Sequence, residues 1–203
     1  MNPPIHLFIA GTTPDRYPMV MLHGSGGDER DLVPLAAELA PGAPALAVRG
    51  TVEIDGGYAF FHRNSDRSID EADVTARIPA LAEFIEAACA DRNLTRNPVI
   101  VGFSNGAIMA AALLMARPAS FFAGILLRPL SPFSRDLPAI FNSLPVLVID
   151  GEKDSRRSPG DGARLAERLK RAGAAVTHRL LPVGHAITGT DKQIARDWLS
   201  GLR

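Results

Sequence analysis

The chain has 203 residues, of which 46% are hydrophobic, and its 22 basic and 22 acidic residues leave no net charge. This length and composition predict a single domain, residues 1–203, and the balanced charge argues against nucleic acid or an anionic membrane as a partner. The longest apolar run, residues 107–116, is too short for a membrane span, and the N-terminus lacks the basic segment of a signal peptide. With its single cysteine, Cys89, the chain is expected to be cytoplasmic.

Short apolar runs alternate with helical patterns along the first half of the chain. Strands are predicted at residues 5–9, 18–22 and 45–48, and helices at residues 30–39 and 70–90, the latter started or kinked by Pro79. Residues 49–67 are predicted to form a long irregular loop that walls a pocket. In this loop His62 is a candidate for substrate contact, and Phe60 and Phe61 are equally well explained as pocket lining or as core.

The sequence G-F-S-N-G, Gly102–Gly106, lies between a buried-strand pattern and an Ala-rich helical pattern. A serine between two glycines at a strand-to-helix turn matches the nucleophile elbow G-x-S-x-G. The turn is too tight for Cβ atoms at the glycines, and it exposes the serine hydroxyl. Ser104 is therefore the predicted nucleophile.

Alternation continues to the end of the chain. Strands are predicted at residues 122–127, 144–149 and 176–181, and helices at residues 162–172 and 189–199. Such a pattern indicates an α/β fold with a mostly parallel central sheet and helices on both faces. In these folds the active site lies at the carboxyl ends of the strands, so the loops that follow strands should carry the chemistry.

A nucleophilic serine needs a base and a carboxylate that orients it. His185 directly follows the last predicted strand and is the favoured base. After the strand at residues 144–149 the acid candidates are Asp150, Glu152 and Asp154. Asp154 is preferred because it is better placed to reach the histidine loop, with Asp150 left open as the alternative. The order serine, aspartate, histidine is that of α/β-hydrolases.

The glycine-rich loop H-G-S-G-G, residues 23–27, follows an early predicted strand. Its Ser25 N–H, with the N–H of Asn105 after the nucleophile, is predicted to form an oxyanion hole from main-chain groups. His23 opens this loop; it is expected to brace the loop and is also grouped with the substrate-binding candidates.

Several sequence segments, taken in order, carry a resemblance to a known family: L-H-G-S-G-G-D-E, R-G, D-E-A-D, G-F-S-N-G-A, D-G-E-K-D and V-G-H. Over nearly its whole length the chain resembles the phospholipase/carboxylesterase family of α/β-hydrolases, which includes acyl-protein thioesterase relatives. The S-N-G sequence is most similar to a bacterial subgroup with members linked to hydroquinone or quinone stress.

The resemblance implies an α/β-hydrolase fold and assigns the catalytic roles to Ser104, Asp154 and His185, with oxyanion positions at Ser25 and Asn105. One departure is clear. Where the family usually continues D-P-x-x-P after the acid, this chain has D-S-R-R-S-P, with arginines at 156 and 157.

These observations predict a serine carboxylesterase that hydrolyses small or short-chain acyl esters through an acyl-enzyme. The chain has little length beyond the core sheet and helices, so no cap domain is expected. No paired cysteines or H-E-x-x-H motif indicate a metal, and no cofactor is expected. An acyl-thioesterase or lysophospholipase-type hydrolase, and a non-catalytic binding protein of the same fold, are the alternatives. Whether the chain forms a homodimer is left open.

Overall fold

The computed structural model describes residues 3–13, 16–135 and 140–202. The strands are β1 His6–Ile9, β2 Met19–Leu22, β3 Ala45–Val48, β4 Val52–Ile54, β5 Gly57–Ala59, β6 Val99–Phe103, β7 Ala123–Leu127, β8 Pro145–Gly151 and β9 Ala175–Leu181. The helices are α1 Val33–Leu39, α2 Glu71–Ala90, α3 Asn105–Ala116, α4 Asp161–Arg171 and α5 Gly189–Ser200, with a short 3₁₀ turn at Pro118–Ser120.

Seven strands form one sheet in the order β1-β3-β2-β6-β7-β8-β9. Strand β1 runs antiparallel to β3, and every other neighbouring pair in this sheet is parallel. The predicted mostly parallel sheet is confirmed. Because β2, β6, β7, β8 and β9 point the same way, the loops after them meet at one edge of the sheet.

Helices cover both faces of the sheet, as predicted. Helices α2, α3 and α4 pack on one face, and α1 and α5 pack on the other. Residues 105–115 of α3 are all buried, which explains why this helix is apolar on every side. No helix in the described ranges has both the length and the apolar character needed to cross a membrane.

One detail differs from the sequence prediction. Residues 49–67 are not wholly irregular, because β4 and β5 form an antiparallel hairpin around Asp55 and Gly56. Gly56 has a φ of +86°, and a D-G pair is a hairpin signal that the long loop obscured. Helix α2, predicted at residues 70–90, spans Glu71–Ala90 with Pro79 in its interior, so the proline does not start it.

Candidate active site

Ser104 occupies the sharp turn between β6 and α3. Its φ of +52° and ψ of −108° lie in a region that L-residues rarely adopt. A Cβ at Gly106 would lie 2.1 Å from the carbonyl oxygen of Leu22, and one at Gly102 would lie 2.4 Å from the carbonyl oxygen of Gly106. Both glycines of the motif are therefore sterically required, and the strained turn holds Ser104 at the carboxyl edge of the sheet.

The loops after β8 and β9 bring Asp154 and His185 to this serine. His185 Nε2 lies 3.0 Å from Ser104 Oγ, and His185 Nδ1 lies 2.7 Å from Asp154 Oδ2. The Asp154 side chain is fully buried, and its other oxygen accepts the Arg156 N–H. A carboxylate at Nδ1 holds the proton on that nitrogen and leaves Nε2 free to accept the serine proton. Ser104, His185 and Asp154 thus form one hydrogen-bonded chain.

Asp150, the alternative acid, faces elsewhere. It lies within β8, and its Oδ2 is 2.7 Å from Nε2 of His178, which pairs with it from β9. Burial raises the pKa of the Asp150 carboxyl, although the hydrogen bond from His178 opposes that rise. The structure places Asp154 and not Asp150 against His185.

The environment of His185 favours the neutral imidazole. Burial lowers the pKa of His185, the hydrogen bond to Asp154 raises it, and the positive charges of Arg157 and Arg156 lower it again. The net pKa lies below the ordinary value of about 6.5. His185 is accordingly a free base at neutral pH.

Two main-chain N–H groups are candidates for an oxyanion hole. Asn105 is the first residue of α3, where a helix leaves its N–H groups without intrahelical partners. Ser25 lies in the glycine-rich loop. Two hydrogen bonds fix the shape of this loop: Gly27 N–H donates to Gly24 O, and Gly26 N–H donates to Tyr58 O. In the described part of the chain, neither the Ser25 nor the Asn105 N–H donates to a protein acceptor.

The Asn105 side chain has a role that the sequence did not indicate. It is buried, and its Oδ1 accepts the Phe60 N–H at 2.7 Å. Asn105, which directly follows Ser104, therefore also holds the end of the β4–β5 hairpin in place.

Three of the four predicted substrate-binding side chains are buried. His23 is 1% exposed; its Nδ1 donates to Gly24 O at 2.7 Å and its Nε2 accepts the Gly50 N–H at 2.9 Å. Phe60 and Phe61 are 4% and 1% exposed and pack in the main core cluster. The core position matches the alternative interpretation of Phe60 and Phe61, and the hydrogen bonds of His23 match its expected role in bracing the loop. Contact of these three residues with substrate stays a prediction. His62 is exposed and stays a candidate for substrate contact.

A buried arginine that the sequence analysis missed supports the histidine loop. Arg128 directly follows β7 with a φ of +55°, is 0% exposed, and pairs with Asp191 through Nη1 and Nη2 at 2.7 and 2.9 Å. Its Nε donates to Gly184 O and its Nη2 to Ala186 O, at 3.0 and 3.2 Å. Arg128 therefore holds the residues on both sides of His185 through hydrogen bonds. A charged residue directly after a buried strand was the signal that could have found it.

A second arginine contacts Ser104 directly. Arg157 Nη2 lies 3.1 Å from Ser104 Oγ, and Nη2 and Nε both donate to the carbonyl oxygen of Arg128. Burial lowers the pKa of Arg157 to about 10, so the group is still a cation at neutral pH. This residue lies within the D-S-R-R-S-P segment, which departs from the family pattern.

Within residues 3–13, 16–135 and 140–202, no group of three or more His, Cys, Asp or Glu side chains is placed to hold a metal ion.

The chain is similar to known proteins over most of its length. The family described as Phospholipase/Carboxylesterase matches residues 50–202. A protein of Bacillus subtilis (strain 168) named as a hydrolase, MhqD, is 34% identical over 195 residues, which are 95% of this chain and 96% of that protein.

Solved structures agree with this result. A carboxylesterase from Bacillus cereus superposes with a TM-score of 0.93 at 32% identity, over 98% of this chain and 94% of its own. A carboxylesterase from Mesorhizobium loti superposes with a TM-score of 0.90 at 30% identity, over 97% and 94% of the two chains. The predicted α/β-hydrolase fold is confirmed, and the chain belongs to the phospholipase/carboxylesterase family.

Proposed function

We propose that the protein is a serine carboxylesterase that hydrolyses small or short-chain acyl esters through an acyl-enzyme. The observation that carries the proposal is the hydrogen-bonded chain from Ser104 Oγ through His185 to Asp154. Membership of a family of carboxylic ester hydrolases supports the reaction class.

In the acylation half-reaction, Ser104 Oγ forms a bond to the ester carbonyl carbon while its proton passes to His185 Nε2. The N–H groups of Ser25 and Asn105 are proposed to hold the resulting oxyanion, and the positive end of the α3 dipole adds to that stabilisation. His185 then gives its proton to the leaving alcohol as the ester C–O bond breaks.

In the deacylation half-reaction, water takes the place of the alcohol. His185 accepts a water proton as the hydroxide oxygen bonds to the acyl carbon, and returns that proton to Ser104 Oγ when the acid leaves. The products are one carboxylic acid and one alcohol. The same steps would cleave a thioester, so a panel of short and long acyl esters and thioesters compared by kcat/KM decides the preferred leaving group and acyl length.

The remaining parts of the proposal concern compartment and partners. We place the protein in the cytoplasm with a small-molecule ester as substrate and without nucleic-acid or membrane partners, on the strength of its balanced charge and single cysteine.

Replacing Ser104 by Ala tests the mechanism. If the three residues act as a unit, turnover of a neutral aryl ester falls by a factor on the order of 10⁶. Ser120→Ala is the matched control, because Ser120 precedes β7, at the opposite edge of the sheet, and bonds Glu86. A Ser104→Ala protein that unfolds at the wild-type temperature and keeps its turnover would rule out the acyl-enzyme.

A further inference from the structure

The guanidinium of Arg157 is anchored so that one edge faces Ser104. Nε and Nη2 donate to Arg128 O at 2.9 and 2.6 Å, and Nη1 donates to Arg156 O at 3.0 Å. The second Nη2 proton points to Ser104 Oγ, at 3.1 Å. A guanidinium has five N–H groups, so, within the described residues, one N–H of Nη1 has no protein acceptor.

The acceptors of Arg157 are all neutral. Two are carbonyl oxygens and the third is the Ser104 hydroxyl; among the described residues no carboxylate lies within hydrogen-bonding distance of this guanidinium. Three nearby carboxylates act on it over longer range, and all are already engaged. Asp150 is hydrogen-bonded to His178 Nε2. Asp154 accepts from His185 and from the Arg156 N–H, and Asp161 accepts from Arg164 and from the Ser158 N–H.

Two other shielded arginines, Arg49 and Arg128, have a carboxylate partner. Arg49 pairs with Glu29 through two bonds of 2.5 and 2.9 Å, and Arg128 pairs with Asp191 through two bonds of 2.7 and 2.9 Å. This contrast matters because burying a charge without a partner is costly, and a planar guanidinium fork matches a carboxylate. Arg63 adds positive charge on the same side, since its charge acts to lower the pKa of Arg157. The site therefore holds a cation that a ligand, not the protein, can neutralise.

We propose that Arg157 is the specificity-determining residue of the site and binds a carboxylate group carried by the substrate. The inference rests on the proposed esterase function and names its substrate class: short esters that bear a carboxylate close to the scissile bond. On binding, the substrate carboxylate takes the edge of the guanidinium that faces Ser104 in the free protein, and the Ser104 lone pair that accepts from Nη2 is released for attack.

The geometry also limits the length of the substrate. A carbonyl carbon about to be attacked lies about 3 Å from Oγ, and a carboxylate oxygen bound to the guanidinium lies about 2.8 Å from its nitrogen. Since Nη2 is itself 3.1 Å from Oγ, the carboxylate and the carbonyl carbon are close neighbours. With carbon–carbon bonds of about 1.5 Å, a bridge of about one to three carbons joins them. Half esters of short dicarboxylic acids, and acetyl esters of short hydroxy acids, have this form.

The test compares matched substrates that differ in charge. The kcat/KM values of monomethyl succinate and monomethyl glutarate are measured in a pH-stat against the corresponding methyl ester amides, which have the same shape without the charge. Acetyl esters of glycolate and lactate, against their amides, form the second arm and place the carboxylate on the alcohol side. The wild type is expected to prefer the anion by a factor on the order of 10 to 100 in at least one arm.

Variants then assign that preference to one residue. Arg157→Gln should bring the anion-to-amide ratio close to one, Arg157→Lys should restore part of it, and the exposed neighbour Arg156→Gln should leave most of it in place. Inhibition of the wild type by free succinate, compared with succinamide, gives a second measurement that needs no variant.

Several results would overturn the proposal. A wild type that hydrolyses the amides and the anions equally, and that succinate inhibits no better than succinamide, would show an esterase without this specificity. An Arg157→Gln protein that loses both substrates in equal proportion would show that Arg157 acts on Ser104 alone. A wild type inactive on every ester, neutral aryl esters included, would instead refute the esterase function itself.

Discussion

His185 is the ionisable group on which the proposed reaction depends, and its surroundings predict the pH profile. Because burial and neighbouring cations lower its pKa, kcat/KM for a neutral ester should be flat at neutral pH and fall only below about pH 6.5. Removing the positive charge of Arg157 favours the imidazolium, so the Arg157→Gln inflection should move to higher pH. The pH dependence of kcat/KM for both proteins checks this. A wild-type inflection above pH 6.5, or an unchanged inflection in the variant, would show that burial and the neighbouring cations do not lower the pKa of His185.

The two aspartates near the end of β8 offer a second test with a matched control. Asp154→Asn should lower kcat by a factor on the order of 10⁴, because an amide at Nδ1 no longer holds the imidazole in the productive tautomer. Asp150→Asn is isosteric and lies four residues earlier in the chain, but it contacts His178. Its effect on kcat should be far smaller. Equal losses in the two variants would mean that the His185–Asp154 contact does not orient the base.

The role of a residue could be predicted from the sequence when its position directly after a strand was sufficient evidence. Ser104, Asp154 and His185 each follow a strand, and the structure brings all three together. Arg157 was recognised as unusual without a role, because its contact with Ser104 spans 53 residues of sequence and depends on how the loop after β8 folds back. His23 was placed on the correct loop, but its buried ring shows that loop membership alone does not indicate exposure.

Among the elements, the turn from β6 into α3 is the one whose geometry tolerates least change. Gly106→Ala should destabilise the protein by about 1–3 kcal/mol or more, because its Cβ would meet the Leu22 and His23 carbonyl oxygens at 2.1 and 2.4 Å. The added methyl would also displace the Leu22–His23 segment, which leads into the glycine-rich loop. Both turnover and Tm should therefore decrease.

Gly189→Ala is the control for this prediction. Gly189 is the first residue of α5, and nothing lies within 4 Å of a Cβ built there. The substitution should leave Tm unchanged or raise it slightly, since alanine is the better helix former. Thermal unfolding of both variants measures the difference, and a Gly106→Ala protein as stable as Gly189→Ala would show that the turn is not close-packed.

Element prediction succeeded where hydrophobic pattern alone decides the structure. Strand β3 was predicted at residues 45–48, the range it occupies, because its four residues are all buried and apolar. Helix α2 agrees with its prediction at residues 70–90 in spite of an internal proline. Pro79 is a local helix breaker, yet the helix continues from Glu71 to Ala90, since burial of residues such as Val74 and Leu81 on the sheet outweighs one lost backbone bond.

Across the whole molecule, one buried ion pair joins the centre of the sheet to its last helix. Arg128 follows β7 and Asp191 lies in the first turn of α5, 63 residues later. Asp191 also accepts from the Thr188 N–H and hydroxyl in a capping box, at 2.7 and 2.6 Å. No local pattern could pair these two residues, because neither segment indicates on which side of the sheet the other lies. Their contact fixes the loop that carries His185 between β9 and α5.

Breaking that pair should cost both stability and activity. Asp191→Asn leaves the Arg128 charge buried without a counter-ion, and the expected loss is about 3–5 kcal/mol in the free energy of unfolding. Since Arg128 also holds Gly184 O and Ala186 O, the His185 loop loosens and kcat should fall as well. Lys192→Met is the control: Lys192 is the next residue, and its pair with Glu38 is partly exposed and worth less than about 1 kcal/mol.

The same pair should determine part of the acid sensitivity of the protein. Burial acts to raise the pKa of Asp191, but hydrogen bonds from Arg128 and Thr188 outweigh it and hold that pKa below the ordinary value. A carboxylate with a depressed folded-state pKa stabilises the protein above its unfolded pKa, near 3.9, and this stability is lost as the pH falls through the folded pKa. Wild-type Tm should therefore decline below about pH 4, and Asp191→Asn should start from a lower Tm and decline less steeply. Parallel acid slopes in the two proteins would show that the titration of Asp191 is not linked to unfolding.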